Sequence, residues 1–535
     1  MAFISETTGM PAQVIARNPA TGQALGSFAA SRAEEVPEVV AQVAKVQPLW
    51  ALLRVQDRAR YMRRMAQAVI DDFDELLALL SAEQGRPRAE VAALELLPAI
   101  DALSWIADDG ARVLGRRRVG VGRSLSLAKR AGVAYEPYGV LGVIGAGSAP
   151  FAQPLGQIAG ALLAGNGVAF KPAEKACMAG ERIMRVLARA GLPEGLVRIL
   201  QGGAEVGVAL AESPVDKLLF TGSPTVGRVV ARACVSHEKE VTVELGGKDA
   251  MLVLGDAQLP HAVAAALWAG CAGAGQARGA IERVYVLDEV YEPFLSALVK
   301  EARAITVGDP GDERTQLGPL SSARRVEHVE RLVREAVEQG ARLHCGGPLD
   351  VPGCPGGAFY APAVLSGVSE EMAVLREPLD GPVLAVVRVS SIAEAIARAN
   401  RGDYGLGVSI WTSDRYQGLR IARRLHAGMV WLNDHLPGPS ISRGPWGAAA
   451  GGGLGRTLGQ AGLRACAQEK LITWDPPGLR GLWWGPYDAT SARAAQTVAR
   501  LRSERESDRK RAWREGMLSL VRLGARAFGR GLPPR

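Results

Sequence analysis

Phe220-Thr221-Gly222-Ser223 joins an apolar strand to a helix that starts near Pro224. The backbone N–H groups freed at such a helix start form a seat for a pyrophosphate. The same residues also read as a plain strand-to-helix turn. Further on, Val243-Glu244-Leu245-Gly246-Gly247-Lys248 sets a carboxylate before two glycines, and Gly275-Gln276-Ala277-Arg278 sets an arginine after another Gly-containing step. A guanidinium stays protonated at ordinary pH and carries no nucleophilic lone pair, so position 278 cannot attack a carbonyl. The six cysteines, Cys177, Cys234, Cys271, Cys345, Cys354 and Cys466, are scattered, with no Cys-x-x-Cys pair and no ligand spacing with histidine. That pattern argues against a zinc site or a disulfide framework and for a reducing, cytoplasmic setting.

The elements that must position these groups read as an α/β framework. Residues 14–201 alternate between helical and strand-like segments. Residues 55–80 have helical periodicity, with Met62, Met65, Val69 and Leu76 among the apolar positions. Val140-Leu141-Gly142-Val143-Ile144-Gly145 is a continuous apolar run, residues 154–163 read as a helix, and Val168-Ala169-Phe170-Lys171-Pro172 as the next strand. Apolar strands without alternation, separated by helices, imply a parallel sheet covered on both faces. Residues 137–170 carry no charge and are long enough to cross a bilayer, but Gly145, Gly147, Pro150, Gln153, Pro154 and Asn166 interrupt them. A buried strand, loop, helix and second strand is the expectation there. Residues 115–135, rich in Arg, Gly and Ser, read as a projecting hairpin.

At 535 residues the chain calls for roughly two to four domains. Its composition is that of a globular protein, and residues 1–13 lack the basic start and apolar run of a signal peptide. From Pro476 onward there are 13 basic and 5 acidic residues, a net of +8 that equals the excess of the whole chain. In that tail Leu482-Trp483-Trp484-Gly485-Pro486-Tyr487 is an aromatic knot expected to pack on the body, and residues 491–514 read as a charged, solvated helix. Trp513, Met517, Leu520, Val521 and Phe528 recur at helical spacing, with Arg514, Arg522 and Arg526 elsewhere on the wheel. A basic amphipathic helix can lie on an anionic membrane, or dock on its own protein or a partner.

The order and spacing of these blocks resemble the aldehyde dehydrogenase superfamily. The resemblance runs from Asn18-Pro19-Ala20-Thr21-Gly22 to Lys470. It is carried by Lys171-Pro172-Ala173-Glu174, Phe220-Thr221-Gly222-Ser223, Glu244-Leu245-Gly246-Gly247-Lys248, Gly275-Gln276, Gly308-Asp309-Pro310, Leu317-Gly318-Pro319-Leu320, Tyr404-Gly405-Leu406 and Val430-Trp431-Leu432-Asn433-Asp434. It implies an α/β fold with a Rossmann-like NAD-binding domain over residues 1–242, carrying the hairpin near 115–135. A catalytic-type α/β domain follows over 243–440, a return segment with an oligomerisation strand over 441–475, and a basic extension over 476–535. The hairpin and late strand together imply a homo-oligomer, a dimer or tetramer.

The resemblance also assigns roles. Glu244 occupies the general-base position, Arg278 that of the nucleophilic cysteine, and Ala152, in Pro150-Phe151-Ala152-Gln153-Pro154, that of the oxyanion-binding asparagine. The family reaction needs a thiolate, an oxyanion donor and a base-activated water. Ala152 offers no donor, and Gln153, one position on, is expected to point elsewhere. Loss of one oxyanion donor costs about a hundred- to a thousandfold, and loss of the nucleophile about a millionfold. Cys271 is expected to be a buried, inert thiol on the preceding helix. If Arg278 enters the substrate tunnel it is expected to pair with Glu244 and lower its pKa. For the cofactor, Lys171 and Glu174 imply adenosine ribose binding with a preference for NAD; Thr221, Gly222, Ser223 and Gly246 complete that set. On the nicotinamide side Glu377-Pro378-Leu379-Asp380-Gly381-Pro382 has proline in place of the ribose-binding glutamate and aspartate in place of the aromatic residue. Lysine and serine are also missing from the glycine frame Pro445 to Arg456. The expectation is a non-catalytic member with weak residual NAD binding and a scaffold or regulatory role, alone or with an active paralogue. Peripheral membrane contact through the tail is a further expectation, and no nucleic-acid or metal site is expected. The alternative is an active NAD-dependent aldehyde oxidoreductase with a displaced nucleophile.

Overall fold

The computed structural model describes residues 13–122, 129–436, 438, 440–478 and 480–527. Its backbone separates into two compact units, one of Met1–Val113 with Pro137–Ala467 and one of Leu114–Glu136 with Gln468–Arg535.

Beside an antiparallel pair of strands, Gln13–Arg17 and Ala24–Ala29, the larger unit is built on two large sheets. The first has six strands in the order Gly453–Leu454, Glu240–Leu245, Lys217–Gly222, Val140–Ile144, Gly167–Lys171 and Val197–Ile199. All neighbours are parallel except Gly453–Leu454, which runs antiparallel along Glu240–Leu245. Leu218, Phe220, Val243 and Leu245 contribute to the core on one face, while Leu141, Val143, Val168 and Phe170 are also buried. Burial on both faces is why these strands show no alternation, and each such side chain contributes about 1.5–3 kcal/mol. The second sheet has seven strands in the order Arg342–Pro348, Tyr360–Ser366, Val383–Val389, Ile281–Leu287, Asp249–Val253, Gly407–Trp411 and Met429–Leu432. Only its Arg342–Pro348 edge is antiparallel.

The uncharged residues 137–170 form the expected strand, loop, helix (Ala152–Ala164) and strand, and among the described residues no helix is long and apolar enough to cross a membrane. Strand Glu240–Leu245 spans the expected boundary at 242/243, since its pairing with Lys217–Gly222 continues to Leu245. The chain therefore passes between the sheets at Gly246-Gly247-Lys248. Residues 55–80 are two helices, Val55–Asp71 and Phe73–Gln84. Asp72 leaves the helical conformation between them, its carboxylate drawn to Arg185 and Arg189.

In the smaller unit Arg117–Val119, Arg130–Pro137 and Ala467–Trp474 form a three-stranded sheet with Ala467–Trp474 at one edge. The tail is helical, but the expected helix over 491–514 is interrupted. Ala489–Leu501 ends where Arg509 takes the carbonyls of Ser503 and Glu504, and Glu506–Arg511 then leads through a wide turn, Ala512–Gly516, into Met517–Ala527. Phe528 lies outside the described residues. Trp484 and Tyr487 of the aromatic knot are exposed, against the expectation that they pack.

Candidate active site

Three elements from distant parts of the sequence converge at the end of the first sheet. Glu244 is the penultimate residue of its strand, level with Thr221 on one side and Gly453 on the other. Gly453 has φ +130°, and a Cβ there would lie 1.9 Å from the Val243 carbonyl oxygen, so only glycine lets that edge approach. Gln153 is the second residue of helix Ala152–Ala164. Arg278 lies in the turn after helix Leu259–Cys271. Gly275, at φ +73°, presses that turn so closely on Gly381-Pro382 that a Cβ would lie 2.1 Å from the Gly381 carbonyl carbon. On its far side His435, buried and packed at a tilt against Trp431, hydrogen-bonds through Nε2 to the Gly279 carbonyl at 2.7 Å. Burial lowers the His435 pKa to about 4, so the ring stays neutral.

Arg278 reaches Glu244. Its guanidinium donates to Glu244 Oε2 at 2.5 Å and to Gln153 Oε1 at 2.9 Å, with the two charged side chains only 5% and 4% exposed. The Gln153 amide group donates in turn to Glu244 Oε2 and to Thr221 Oγ1, and Gln157 also reaches Thr221 at 3.3 Å. Among the described residues Glu244 Oε1 has no hydrogen-bond partner. The expected ion pair is therefore present, while two other expectations are corrected. Gln153 does face the site, because side chains on a helix start are about 100° apart rather than opposed, and a long amide can swing inward. The Glu244 carboxyl is raised to about 7, not lowered: its complete burial outweighs the opposing pull of Arg278 and Gln153. Burial likewise pulls the Arg278 guanidinium below its ordinary value, against Glu244.

Ala152 is buried and contributes only a methyl group. Its backbone N–H is also taken, donating at 2.8 Å to Glu95 Oε2, which accepts from Phe151 as well. Glu95 is completely buried and its pKa is raised by that burial, with Arg86 3.6 Å away. Arg86 in turn holds the Ser148 carbonyl, and Glu90 accepts from Gly273 N–H, so this acid–base cluster ties the Ala152 helix start to the Arg278 turn. Its signal in the sequence is Arg86, just before a helix that carries Glu90 and Glu95 among Ala, Val and Leu residues, a pattern that does not by itself name a partner. Cys271 ends its helix, buried, and burial pushes its thiol up to about 12. Among the described residues no cluster of His, Cys, Asp and Glu could hold a metal.

The cofactor candidates divide. Lys171 closes strand Gly167–Lys171, its ammonium on the Pro172 carbonyl, and burial lowers its pKa against Glu174 and Glu205. Glu174 is exposed in the next turn. Ser223 caps helix Pro224–Ser236 by accepting from Val226 N–H. An added Cβ at Gly246 would meet open space. Thr221, by contrast, spends its hydroxyl on Gln153 and Gln157. Lys175, Arg324, Arg325 and His328, with Ser321 and Ser322, line a cavity of about 380 Å³. Lys171, Glu174 and the Ser223-capped helix start fit a diphosphate-linked nucleoside. Beside the cavity His328 hydrogen-bonds to the Pro378 carbonyl and Asp380 is paired with Arg325 at 2.6 Å, while Glu377 is paired with Arg331 at 3.2 Å. Both carboxylates of that segment are thus already paired with arginines.

Comparison with known proteins agrees with this architecture. The sequence profile of the aldehyde dehydrogenase family matches residues 5–472. Betaine aldehyde dehydrogenase of Cereibacter sphaeroides (strain ATCC 17029 / ATH 2.4.9) is 34% identical over 471 residues, covering 88% of this chain and 95% of the relative. The solved structure of a Mycobacterium tuberculosis aldehyde dehydrogenase complexed with NAD+ is 31% identical, with TM-score 0.82, covering 86% of this chain and 94% of its own. An NADP-dependent enzyme of E. coli is 30% identical with TM-score 0.82, covering 87% and 95%.

Proposed function

Because this chain belongs to the aldehyde dehydrogenase family, we propose that it is a non-catalytic member that keeps the fold and half of a dinucleotide site. The observation that carries this reading is the Arg278–Glu244–Gln153 cluster. A guanidinium fills the space beside the carboxylate where a nucleophile would be needed, and it cannot serve as one. One carboxylate oxygen of Glu244, Oε2, is committed to Arg278 and Gln153, and the other, Oε1, is buried away from solvent. An oxyanion at Ala152 would meet a methyl group and an N–H already given to Glu95. Cys271, with its raised pKa, is no replacement thiolate.

NAD, when bound in this family, supplies the hydride acceptor. Here Lys171, Glu174 and the Ser223-capped helix start would hold its adenosine diphosphate part, and the 377–382 segment, with its carboxylates paired to Arg325 and Arg331, would leave the nicotinamide end unheld. Weak binding and a regulatory or scaffold role, alone or beside an active paralogue, follow. A second reading, an active aldehyde oxidoreductase, draws on one observation: a Glu244 pKa of about 7 lies in the range of a general base.

One assay separates the two. Purified full chain is incubated with NAD or NADP and a panel of aldehydes that includes betaine aldehyde, and NAD(P)H is followed by absorbance. No production above background is expected. Arg278→Cys alone should rescue poorly, because Ala152 and Pro378 still lack their roles. Robust turnover by the unmodified chain overturns the proposal.

A further inference from the structure

Helix Met517–Ala527 packs on helix Ala489–Leu501 through its small residues. Ala494, Ala512, Ser519 and Ala527 are buried, and a Cβ on Gly516 would lie 2.0 Å from Thr497 Oγ1. Leu523 is the one large apolar side chain buried on that helix. Met517 and Leu520 are half-buried, while Leu518 is 62% exposed, Val521 60% and Trp513, in the turn before the helix, 64%. A docked helix usually buries its large apolar residues, and here part of them is left outside. The packing that holds the tail together leaves the face of Trp513, Leu518 and Val521 in water, where it is costly.

That face is bordered by cations and aromatic rings. Arg514 follows Trp513 and Arg522 follows Val521 in sequence, and Arg511 precedes them, paired with Glu515. The exposed Trp484 and Tyr487 are held to the same helix pair: Arg480 N–H donates to the Ala527 carbonyl, and Arg526 pairs with Asp488. The tail from Pro476 carries a net of +8.

We propose that this face of the tail, centred on Trp513, Leu518 and Val521, lies on an anionic lipid surface. Exposed tryptophan and tyrosine suit the water–lipid interface, an apolar helix face enters the headgroup boundary, and the surrounding arginines meet anionic headgroups. Charge decides against a second copy of the same face as occupant, since that would set one +8 tail against another. The helix lies in the plane of the surface, and it does not span it.

The test is co-sedimentation of the full chain with vesicles of phosphatidylcholine alone and of phosphatidylcholine with phosphatidylserine, at low and high salt. Two double variants accompany it, Trp513→Ser with Val521→Ser, and Arg514→Gln with Arg522→Gln; their unchanged thermal midpoints check the fold. Binding is expected only with phosphatidylserine, falling as salt rises and reduced at least about fivefold by either variant. The proposal is overturned by equal binding to both vesicle types, by no binding at any salt, or by variants that bind as wild type does. Self-association lost in the Trp513/Val521 variant, with no vesicle binding, would make the face an interface between copies instead.

Discussion

At position 244 a carboxylate has lost its water and gained one guanidinium and one amide, and the balance between these sets its titration. Burial prevails and holds the Glu244 pKa at about 7, against an ordinary 4.5. The native state then keeps the proton more tightly than the unfolded chain does. The stability this group contributes is full below about 4.5 and is lost as pH rises through about 7, an effect on the order of 3 kcal/mol. Thermal midpoints of wild type and Glu244→Gln, compared from about pH 5 to about pH 8, should show wild type losing ground to the variant as pH rises. A wild type that gains on the variant would mean that Arg278, not burial, governs the carboxyl. The residue types at 152 and 278 were readable without any structure, because a methyl group has no proton to donate and a guanidinium no lone pair wherever they sit. The direction of Gln153 was not readable, since it depends on where the helix begins.

The elements around the cofactor candidates keep their places: a strand end at Lys171 and a 13-residue helix capped by Ser223. The segment from Glu377 to Pro382 has instead turned its polar groups to Arg331, His328 and Arg325. Binding should follow the elements that remain. Calorimetry is expected to give NAD and ADP-ribose similar, weak affinities, with Lys171→Ala weakening both alike. NAD markedly tighter than ADP-ribose would mean that the nicotinamide end is held after all, and no binding of either would make the whole pocket vestigial. These strands were legible as apolar runs because both of their faces are buried. The break at Asp72 and the interrupted tail helix were not, because each is made by side chains that capture charges or carbonyls across a turn.

The smaller unit presents Ala467–Trp474 as an eight-residue edge strand with Leu471, Ile472 and Trp474 exposed. An apolar strand that is outermost in its sheet among the described residues is a template for another chain. Size-exclusion chromatography with light scattering is expected to give a dimer or tetramer for the full chain. A monomer at micromolar concentration would leave the edge without its occupant and count against the oligomer. The same measurement on the Trp513/Val521 variant should give the same mass, because the two substituted side chains belong to the tail helices and not to the edge strand.

The sequence by itself determined the kind of fold and the chemistry that positions 152 and 278 can no longer perform. Both follow from local facts, the apolar pattern of buried strands and the functional groups that each side chain carries. Only the tertiary structure decided that Gln153 joins the site, that Glu244 titrates upward, and that the tail helix buries Leu523 while leaving Leu518 and Val521 outside. Each of these is a sum over neighbours that the sequence keeps far apart: Gln153 meets Arg278 across 125 positions, Glu244 loses its water to several elements at once, and Met517–Ala527 chooses its buried face by the shape of Ala489–Leu501.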